Sequence, residues 1–352
     1  MKKVRIGLII ILILIILVMI GYKLMFGKVS SSNKEIEVTI PLGTGTSEIA
    51  QILKEKDIIR SKLGFKLYVK LNKISDFQAG TYYLKQNMTL KEITENLQSG
   101  VMYDPNEIMI TYLEGKNIRW LASKIAELTN NKEEDVYELL ENDEYIDFLI
   151  DKYWFITDEI KNKDIYYPIE GYLFPDTYAL KNKDVTVEEI FEKMLDKMEQ
   201  VLDENNLNKE ENIAHEILTI ASIIEMESVN TEDRKDVSSV IYNRLNKNMA
   251  IQSDVTTYYA FKIDMGDRDL YQRELDTYNP YNTRGPRMEG KLPVGPISSV
   301  SKSSIEAAIN PNETDYLYFV ADKSGKVYFS RTNSEHNQII SELKTKGLWF
   351  EY

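Results

Sequence analysis

The pattern of hydrophobic and polar positions first marks an apolar stretch at the start of the chain. Residues 6–22 carry no charge, and the longer run 6–26 is interrupted by a charge once, at Lys23. At about 1.5 Å per residue, such a run can cross the hydrocarbon core of a membrane. Basic residues precede it, which predicts a cytoplasmic N-terminus. The alternative is a cleaved signal peptide, but the run is longer than a usual signal core and no A-x-A-like site follows it.

A second pattern begins after a short polar tether at 28–34. Alternating positions in 35–40 and 79–84 predict two strands, and apolar residues at helical spacing between them predict two helices. A further helix is predicted over 88–97, with Thr89 as its cap. The strand–helix–helix–strand order resembles a LysM-like module, assigned to 29–104. Two interpretations of this module remain, a structural spacer and a glycan-binding unit.

From Glu107 onward the pattern changes again and predicts a larger mixed domain over 105–352. The clearest helix runs over 186–202, because Thr186 and Glu189 form a capping box before an apolar face. The other predicted elements are a strand at 107–113, a helix ending at 128, a helix over 135–153, two strands within 314–331 and a helix over 333–346. The predicted fold class is therefore α+β, with one N-terminal transmembrane helix, a small βααβ module and a larger mixed domain.

The segment His215–Ser228 contains the most promising candidates for chemistry. Its isoleucine-rich stripe predicts a buried helix that carries two carboxylates, Glu225 and Glu227. These positions lie about 160° apart around the helix axis, so they cannot both line one cleft as an acid–base pair. A carboxylate in apolar surroundings is costly to ionise and can serve as an acid at neutral pH. The periodicity alone does not choose between the two glutamates, and both could be ordinary boundary residues.

Two irregular segments could form the walls of a cleft. Residues 166–180 are rich in aromatic residues and contain prolines and a glycine that prevent a regular helix. They could stack against sugar rings or simply pack into the core. Residues 280–299 are locally basic, through Arg284, Arg287 and Lys291, and could meet a substrate carboxylate or form a solvated loop.

Composition excludes several classes of function. The formal net charge of −13 argues against a nucleic-acid partner, which would favour a basic face. The chain has no cysteine, and its two histidines are far apart, so no metal site and no cofactor are predicted. Absence of cysteine also excludes a disulfide framework.

Several motifs together resemble one known family. The stretches ASIIEMES, DRKDVSSVIYNRL, MAIQSD, IEGYLFPDTY, PYNT, LPVGPI, YLYFVAD and SEHN occur in an order and context similar to those of the YceG-like (MltG) family, the endolytic murein transglycosylases. The resemblance covers essentially the whole chain. Val255 and Arg284 depart from the family pattern, and the GPRMEGK run lengthens one loop, which affects the expected shape of one cleft wall.

The resemblance implies roles for particular residues. It assigns the catalytic glutamate to the first acidic position of the ASI-x-E-x-E motif, which is Glu225. Burial is expected to raise the pKa of that carboxyl so that it starts protonated. The substrate-binding residues implied by the matching motifs are Glu170, Asp176, Gln252, Ser253, Asp254, Thr256, Tyr259, Tyr281, Asn282 and Thr283.

The implied function is cleavage of MurNAc–GlcNAc β-1,4 bonds within peptidoglycan strands, with formation of 1,6-anhydro-MurNAc. A lytic enzyme needs one carboxyl, since the C6 hydroxyl of its own substrate is the nucleophile, whereas a hydrolase needs two. The expected location is the cell membrane, with the catalytic domain outside. The expected partners are glycan strands, the membrane, and synthases or division proteins. The alternatives are a non-catalytic glycan-binding scaffold and a hydrolytic muramidase that pairs Glu225 with Asp254.

Overall fold

The computed structural model describes residues 19–100, 107–207, 213–227 and 230–349. The chain separates into two compact units, Met1–Glu107 and Ile108–Tyr352. Most of the predicted membrane span falls in residues 1–18, outside the described residues. Among the described residues, no helix has the length and apolar character needed to cross a membrane. Assignment of the units to an anchor, a LysM-like module and a catalytic domain stays a prediction.

The first unit contains a two-stranded antiparallel sheet covered by helices. Strand β1 pairs with β2 in a register that runs from Glu35 opposite Lys85 to Ile40 opposite Gly80. Alternate residues of the strands are buried and meet the apolar faces of the helices, which confirms the predicted strand–helix–helix–strand order. The elements are β1 (Glu35–Ile40), α1 (Thr46–Glu55), α2 (Lys62–Leu71), β2 (Gly80–Lys85) and α3 (Leu90–Ser99). Thr89 caps α3 as predicted.

The second unit is mixed α and β, which confirms the predicted α+β class. Its described residues form two small antiparallel sheets and a set of packed helices. The elements before residue 208 are β3 (Ile108–Thr111), α4 (Ile118–Leu128), α5 (Glu133–Leu140), α6 (Asp143–Lys152), a 3-10 turn (Asp158–Lys161), β4 (Thr177–Leu180) and α7 (Val187–Glu204). The later elements are α8 (Ala214–Glu227), α9 (Arg234–Asn246), α10 (Asp254–Ala260), α11 (Gln272–Leu275), α12 (Lys302–Ile309), β5 (Tyr318–Ala321), β6 (Val327–Ser330) and α13 (Asn333–Thr345).

Helix α8 lies at the centre of this unit, packed against α9, α10 and α12. Its residues from Ile217 to Ile224 are all buried, so it is enclosed on more sides than a single apolar stripe requires. A helix surrounded in this way has few positions that reach solvent, and these lie near its ends. Glu225 and Glu227 are therefore placed at the point where the buried helix emerges.

Two sequence predictions about secondary structure were wrong. The helix predicted over 135–153 is two helices, because the Asn142 side chain accepts hydrogen bonds from the N–H groups of Glu144 and Tyr145 and starts α6. The segment 166–180 was expected to be irregular throughout, but it ends in β4, which pairs with β3. Gln252 and Ser253 lie in the loop before α10, and Asp254 is the first residue of that helix.

Candidate functional site

A cavity of about 570 Å³ lies at the C-terminal end of α8. Helix α8 contributes Glu227, the start of α10 contributes Asp254, and the β5–β6 hairpin contributes its first strand. The lining residues are Ile223, Glu227, Val240, Ile241, Arg244, Ile251, Gln252, Ser253, Asp254, Arg284, Tyr318, Phe319, Val320, Ala321, Asn333, His336, Ile340 and Trp349. The cavity is within the size range of small-ligand sites and has both apolar and charged walls.

Glu227 is the carboxyl of α8 that faces this cavity. The Ser253 hydroxyl donates a hydrogen bond of 2.5 Å to Glu227 Oε1. Burial raises the pKa of the Glu227 carboxyl above its ordinary value, and the Ser253 hydrogen bond lowers it in part. The negative charge of Asp254 raises the pKa further. Glu227 therefore keeps its proton to a higher pH than an exposed glutamate, as a proton donor requires.

The loop before α10 and the first residue of that helix hold three predicted site residues at the cavity. Gln252 adopts a left-handed backbone with φ of 58°, which is uncommon for a residue other than glycine. Thr283 supports this conformation, because its carbonyl accepts from Gln252 N–H at 3.2 Å and its Oγ1 accepts from Ser253 N–H at 3.0 Å. The turn brings Gln252, Ser253 and Asp254 into the lining.

Thr256 and Thr283 form a buried layer behind this loop. Their hydroxyl oxygens lie 2.7 Å apart, and Thr283 N–H donates to Thr256 Oγ1 at 3.1 Å. Both side chains are fully buried, so they are matched to each other and to backbone groups. Thr256 and Thr283 therefore hold the loop that carries Ser253 in position.

Asp254 and Arg284 form an ion pair at the rim of the cavity. Both side chains are partly exposed, at 54% and 35%. Arg284 belongs to the segment in which a basic cleft wall was predicted, and it lines the cavity. An exposed pair of this kind is weakly held and can exchange its partners when a charged ligand arrives.

Four other predicted site residues form a buried support instead of lining the cavity. The rings of Tyr259 and Tyr281 pack edge to face with centroids 4.8 Å apart. Asn282 donates to the carbonyls of Glu274 and Thr277 and accepts from the Thr257 hydroxyl. Each of these polar groups is paired inside the protein. Their positions therefore indicate that these residues stabilise the structure around the cavity.

Glu170 is the fourth of these support residues. Both of its carboxyl oxygens accept from Ile118 N–H at 3.1 Å, and Tyr259 OH donates to Oε2 at 3.1 Å. The carboxyl thus caps the N-terminus of α4, where the helix dipole favours negative charge. Burial nevertheless raises the pKa of the Glu170 carboxyl to about 7. The hydrogen bonds lower the pKa and so offset part of the effect of burial.

The raised pKa of Glu170 predicts that the stability of the folded protein depends on pH. Raising a carboxyl pKa from 4.5 to about 7 makes the ionised form costlier in the folded protein by about 3 kcal/mol. The protonated group therefore contributes stability that is complete below about pH 4.5 and is lost as the pH rises through about 7. We expect Glu170→Gln to flatten this part of the curve of unfolding free energy against pH, measured by urea denaturation. An identical slope in wild type and variant would contradict the assignment.

Asp176 lies apart from the other predicted residues. Its side chain is exposed and accepts from Thr177 N–H at 2.7 Å. It borders a separate shallow depression beside α7, formed with Lys193 and Asp196. The structure does not bring Asp176 to the cavity of Glu227.

Glu225 is held in an ion pair and is not among the residues that line the cavity. Arg234 donates from Nη1 to Oε2 at 3.1 Å and from Nη2 to Oε1 at 2.9 Å. Ser301, the N-cap of α12, adds its N–H at 2.9 Å and its hydroxyl at 2.5 Å. The Glu225 and Arg234 side chains are 6% and 9% exposed. These polar neighbours differ from the apolar setting expected from the sequence, since four donors surround the two carboxyl oxygens.

The sequence analysis assigned no role to three residues of the cavity wall: Arg244, Tyr318 and His336. The Arg244 guanidinium lies 4.9 Å from the centre of the Tyr318 ring and donates from Nη1 to Ile251 O at 2.6 Å. It also donates from Nε to Leu317 O at 2.6 Å. Arg244 therefore ties the loop of Gln252 to strand β5. Arg244, Tyr318 and His336 occur in the motifs IYNRL, YLYFVAD and SEHN respectively. These motifs are the feature of the sequence that could have identified them.

No group of three or more His, Cys, Asp or Glu suited to a metal ion occurs within the described ranges of the chain. The predicted absence of a metal or cofactor stays a prediction.

Comparisons with known proteins agree on one family. A profile of the YceG-like family matches residues 38–342. The chain is 37% identical over 329 residues to the endolytic murein transglycosylase of Bacillus subtilis (strain 168), covering 91% of this chain and 89% of that protein. It is 31% identical to the endolytic murein transglycosylase of Streptococcus pneumoniae serotype 2 (strain D39), covering 89% of this chain and 59% of that longer protein.

A solved structure is also similar. The crystal structure of a YceG-like protein from Listeria monocytogenes superposes with a TM-score of 0.61 at 36% sequence identity. The match covers 88% of this chain and 100% of that chain. Since the family profile spans most of the sequence and the relatives match along nearly all of it, this chain belongs to the YceG-like family.

Proposed function

We propose that this protein is a membrane-anchored lytic transglycosylase that cuts peptidoglycan strands internally. Membership of the YceG-like family supports this, as do relatives named endolytic murein transglycosylases. The observation that carries the proposal is the position of Glu227. It is a cavity-facing carboxyl with a raised pKa, hydrogen-bonded to Ser253 and placed beside the polar loop residues.

Glu227 is the proposed catalytic acid and base. Its proton passes to the oxygen of the MurNAc–GlcNAc bond as the bond from MurNAc C1 breaks, and GlcNAc leaves with a free hydroxyl. The Glu227 carboxylate then accepts the proton of the MurNAc C6 hydroxyl while that oxygen bonds to C1. The product is a 1,6-anhydro ring, and no water is consumed. Raising the pKa of the acid by burial suits the first step.

This proposal moves the catalytic role from Glu225 to Glu227. The assignment of Glu225 to catalysis stays a prediction, but its contacts with Arg234 and Ser301 occupy the carboxylate oxygens. A carboxyl whose oxygens already accept four hydrogen bonds has few lone pairs left for a substrate group. Among the described residues, Glu227 accepts one such bond, from the Ser253 hydroxyl, and it lines the cavity.

The proposed substrate-binding residues divide by position. Gln252, Ser253 and Asp254 line the cavity and are proposed to contact the sugar directly. The buried residues of the predicted set act on the substrate by holding this loop and its surroundings in place. They are Glu170, Thr256, Tyr259, Tyr281, Asn282 and Thr283. Asp176 would contact a glycan only if the strand extended to its own depression.

The location and cellular role are proposed from the sequence. The apolar run 6–26 would anchor the protein in the cell membrane, and the short tether at 28–34 would confine the cavity to strands near the membrane. The resemblance to the family implies three further roles. These are termination of nascent strands, glycan binding by the module 29–104, and contact with synthases or division proteins.

A hydrolytic muramidase is the second candidate, because Asp254 lines the same cavity as Glu227. Two carboxyl groups that line one cavity can act as acid and as base or nucleophile. Arg284 is ion-paired with Asp254 at the rim of this cavity. The two mechanisms differ in product, since the hydrolase consumes water and leaves a reducing end.

Mass spectrometry of the fragments released from purified peptidoglycan tests the proposal. We expect fragments that end in 1,6-anhydro-MurNAc and come from within strands. Reducing ends would establish the muramidase instead. If neither mature nor nascent glycan is cut, the protein is better described as a glycan-binding scaffold, and the proposed activity fails.

A further inference from the structure

Helix α2 of the first unit has an exposed apolar stripe. Its core side is formed by Phe65 and Val69, which are buried. On the side away from the core, Leu63, Leu67 and Leu71 are 64%, 38% and 69% exposed. Residues four apart in a helix lie one above the other, so these leucines form one continuous leucine stripe. A single exposed leucine is ordinary, but three aligned on one short helix indicate a contact surface.

The exposed side of α2 is also basic. Residues 58–75 include five basic residues and no acidic one, although the whole chain has a formal net charge of −13. The basic residues are Arg60, Lys62, Lys66, Lys70 and Lys73. The four lysines are exposed, and three of them directly precede the leucines of the stripe. Helices α1 and α3 carry exposed glutamates as well as lysines. The surface of α2 therefore combines apolar and cationic groups, as do helices that lie in a membrane interface.

The end of the apolar run 6–26 is packed against this helix. Residues 19–26 are helical, and Phe26 packs against the core of the first unit. A side chain at position 64 would collide with the carbonyl of Met25, so Gly64 permits close approach of the two backbones. The C-terminal end of the proposed membrane anchor is therefore placed beside the first turn of α2.

The tether that follows the apolar run is bound at the same place. Arg60 lies directly before Ser61, the N-cap of α2. Its guanidinium donates from Nε to Lys28 O at 2.5 Å and from Nη2 to Val29 O at 2.8 Å. The start of the tether is thus fixed to the start of α2. If the apolar run crosses the membrane, this helix lies where the chain leaves the lipid.

We propose that α2 lies on the outer surface of the cell membrane, with the leucine stripe below the lipid headgroups and its lysines at the phosphates of anionic phospholipids. The inference rests on the membrane anchor of the proposed function and adds a second contact with the same membrane. Burial of apolar side chains and attraction to anionic headgroups act together in such a helix. Two contacts would fix the orientation of the first unit relative to the membrane, which one span alone does not do.

Spin labels at single introduced cysteines test the contact, because the chain has no cysteine of its own. The full chain is reconstituted into vesicles of phosphatidylglycerol mixed with phosphatidylcholine, and separately into phosphatidylcholine alone. Leu67→Cys places the label in the leucine stripe. Thr39→Cys is the control, because Thr39 is exposed on the face of the β1–β2 sheet opposite the buried side chains that meet the helices.

Accessibility of each label, measured by electron paramagnetic resonance, gives its depth. In vesicles with phosphatidylglycerol, we expect the label at position 67 to be severalfold less accessible than that at position 39 to a water-soluble nickel complex. It should be more accessible to oxygen dissolved in the lipid. In phosphatidylcholine alone the difference should shrink, because the lysines lose their anionic partners.

Neutral variants of the lysines test the charge contribution in the same vesicles. Combined Lys66→Gln, Lys70→Gln and Lys73→Gln should lower the equilibrium constant for the contact by about 10²-fold, read from the shielded fraction of the label at position 67. The three lysines are exposed, so the unfolding temperature should not change. Lys91→Gln on α3 is the control, since this lysine is 73% exposed and lies on another helix. It should leave the shielded fraction unchanged.

Three outcomes in protein that has entered the vesicles would overturn the inference. The first is equal nickel access at positions 67 and 39. The second is equal shielding of position 67 in both lipids without any effect of the lysine changes, because the lysines would then meet no anionic headgroup. The third is spectral broadening at position 67 that grows with the ratio of protein to lipid, which would assign the leucine stripe to a second copy of the chain.

Flotation with the vesicles is measured first and tests the proposed anchor separately. Protein that does not float with them would remove the anchor and this contact together. No glycan is present in these measurements, so failure of the proposed cleavage activity would be seen in the peptidoglycan assay and would not change the label accessibilities.

Discussion

Glu227→Gln is expected to lower the turnover number on peptidoglycan by roughly 10²–10⁴-fold while leaving the unfolding temperature unchanged. The amide keeps the size and the hydrogen bond with Ser253 but cannot transfer a proton to the glycosidic oxygen. Release of anhydro-MurNAc ends per unit time, followed by mass spectrometry, measures the change. Glu216→Gln is the matched control, because Glu216 is an exposed glutamate on the same helix. An unchanged rate in Glu227→Gln would remove this residue from the mechanism.

The pH profile provides a second measure of the same residue. A general acid works in its protonated form, so activity should fall as the pH rises through the Glu227 pKa. Since burial and Asp254 raise that pKa, the fall should occur at a higher pH than for an ordinary glutamate. Asp254→Asn removes the negative charge and should move the fall to lower pH. A shift in the opposite direction would contradict the assignment.

Arg234→Met is expected to lower the free energy of unfolding by about 3–5 kcal/mol. The change leaves the Glu225 carboxylate buried, at 6% exposure, without its bidentate partner. It also removes hydrogen bonds to Ser303 and Ser304, so the contact between α9 and α12 weakens. Urea denaturation measures the loss. Arg331→Met is the control, because the side chains of the Arg331–Asp315 pair are 58% and 67% exposed and their loss should have a much smaller effect. Similar effects of the two changes would contradict the role given to Glu225.

Glu225→Gln separates this structural role from catalysis. It leaves the Arg234 guanidinium buried without a negative partner, so we expect a loss of stability comparable with that of Arg234→Met. The rate per folded molecule should change much less than in Glu227→Gln. A loss of 10²-fold or more in folded Glu225→Gln, with an active Glu227→Gln, would return catalysis to Glu225.

The sequence by itself determined the local structure of most elements. Helix α7 follows from its capping box and apolar face, since both act over three or four residues. Strands β5 and β6 follow from two apolar runs joined by a turn. The sequence also identified the family, because several motifs recur together in order. The α+β class follows from these local patterns.

Only the tertiary structure decided which glutamate faces the cavity. A helical wheel separates Glu225 from Glu227 but does not say which neighbours each one meets. Ser301 and Arg234 reach Glu225 from α12 and α9, and Ser253 reaches Glu227 from the loop before α10. The pKa of a carboxyl depends on such burial and charges, which come from residues distant in sequence. The position of His336 likewise could not be derived from the sequence. It lies 109 positions beyond Glu227 in the chain and lines the same cavity.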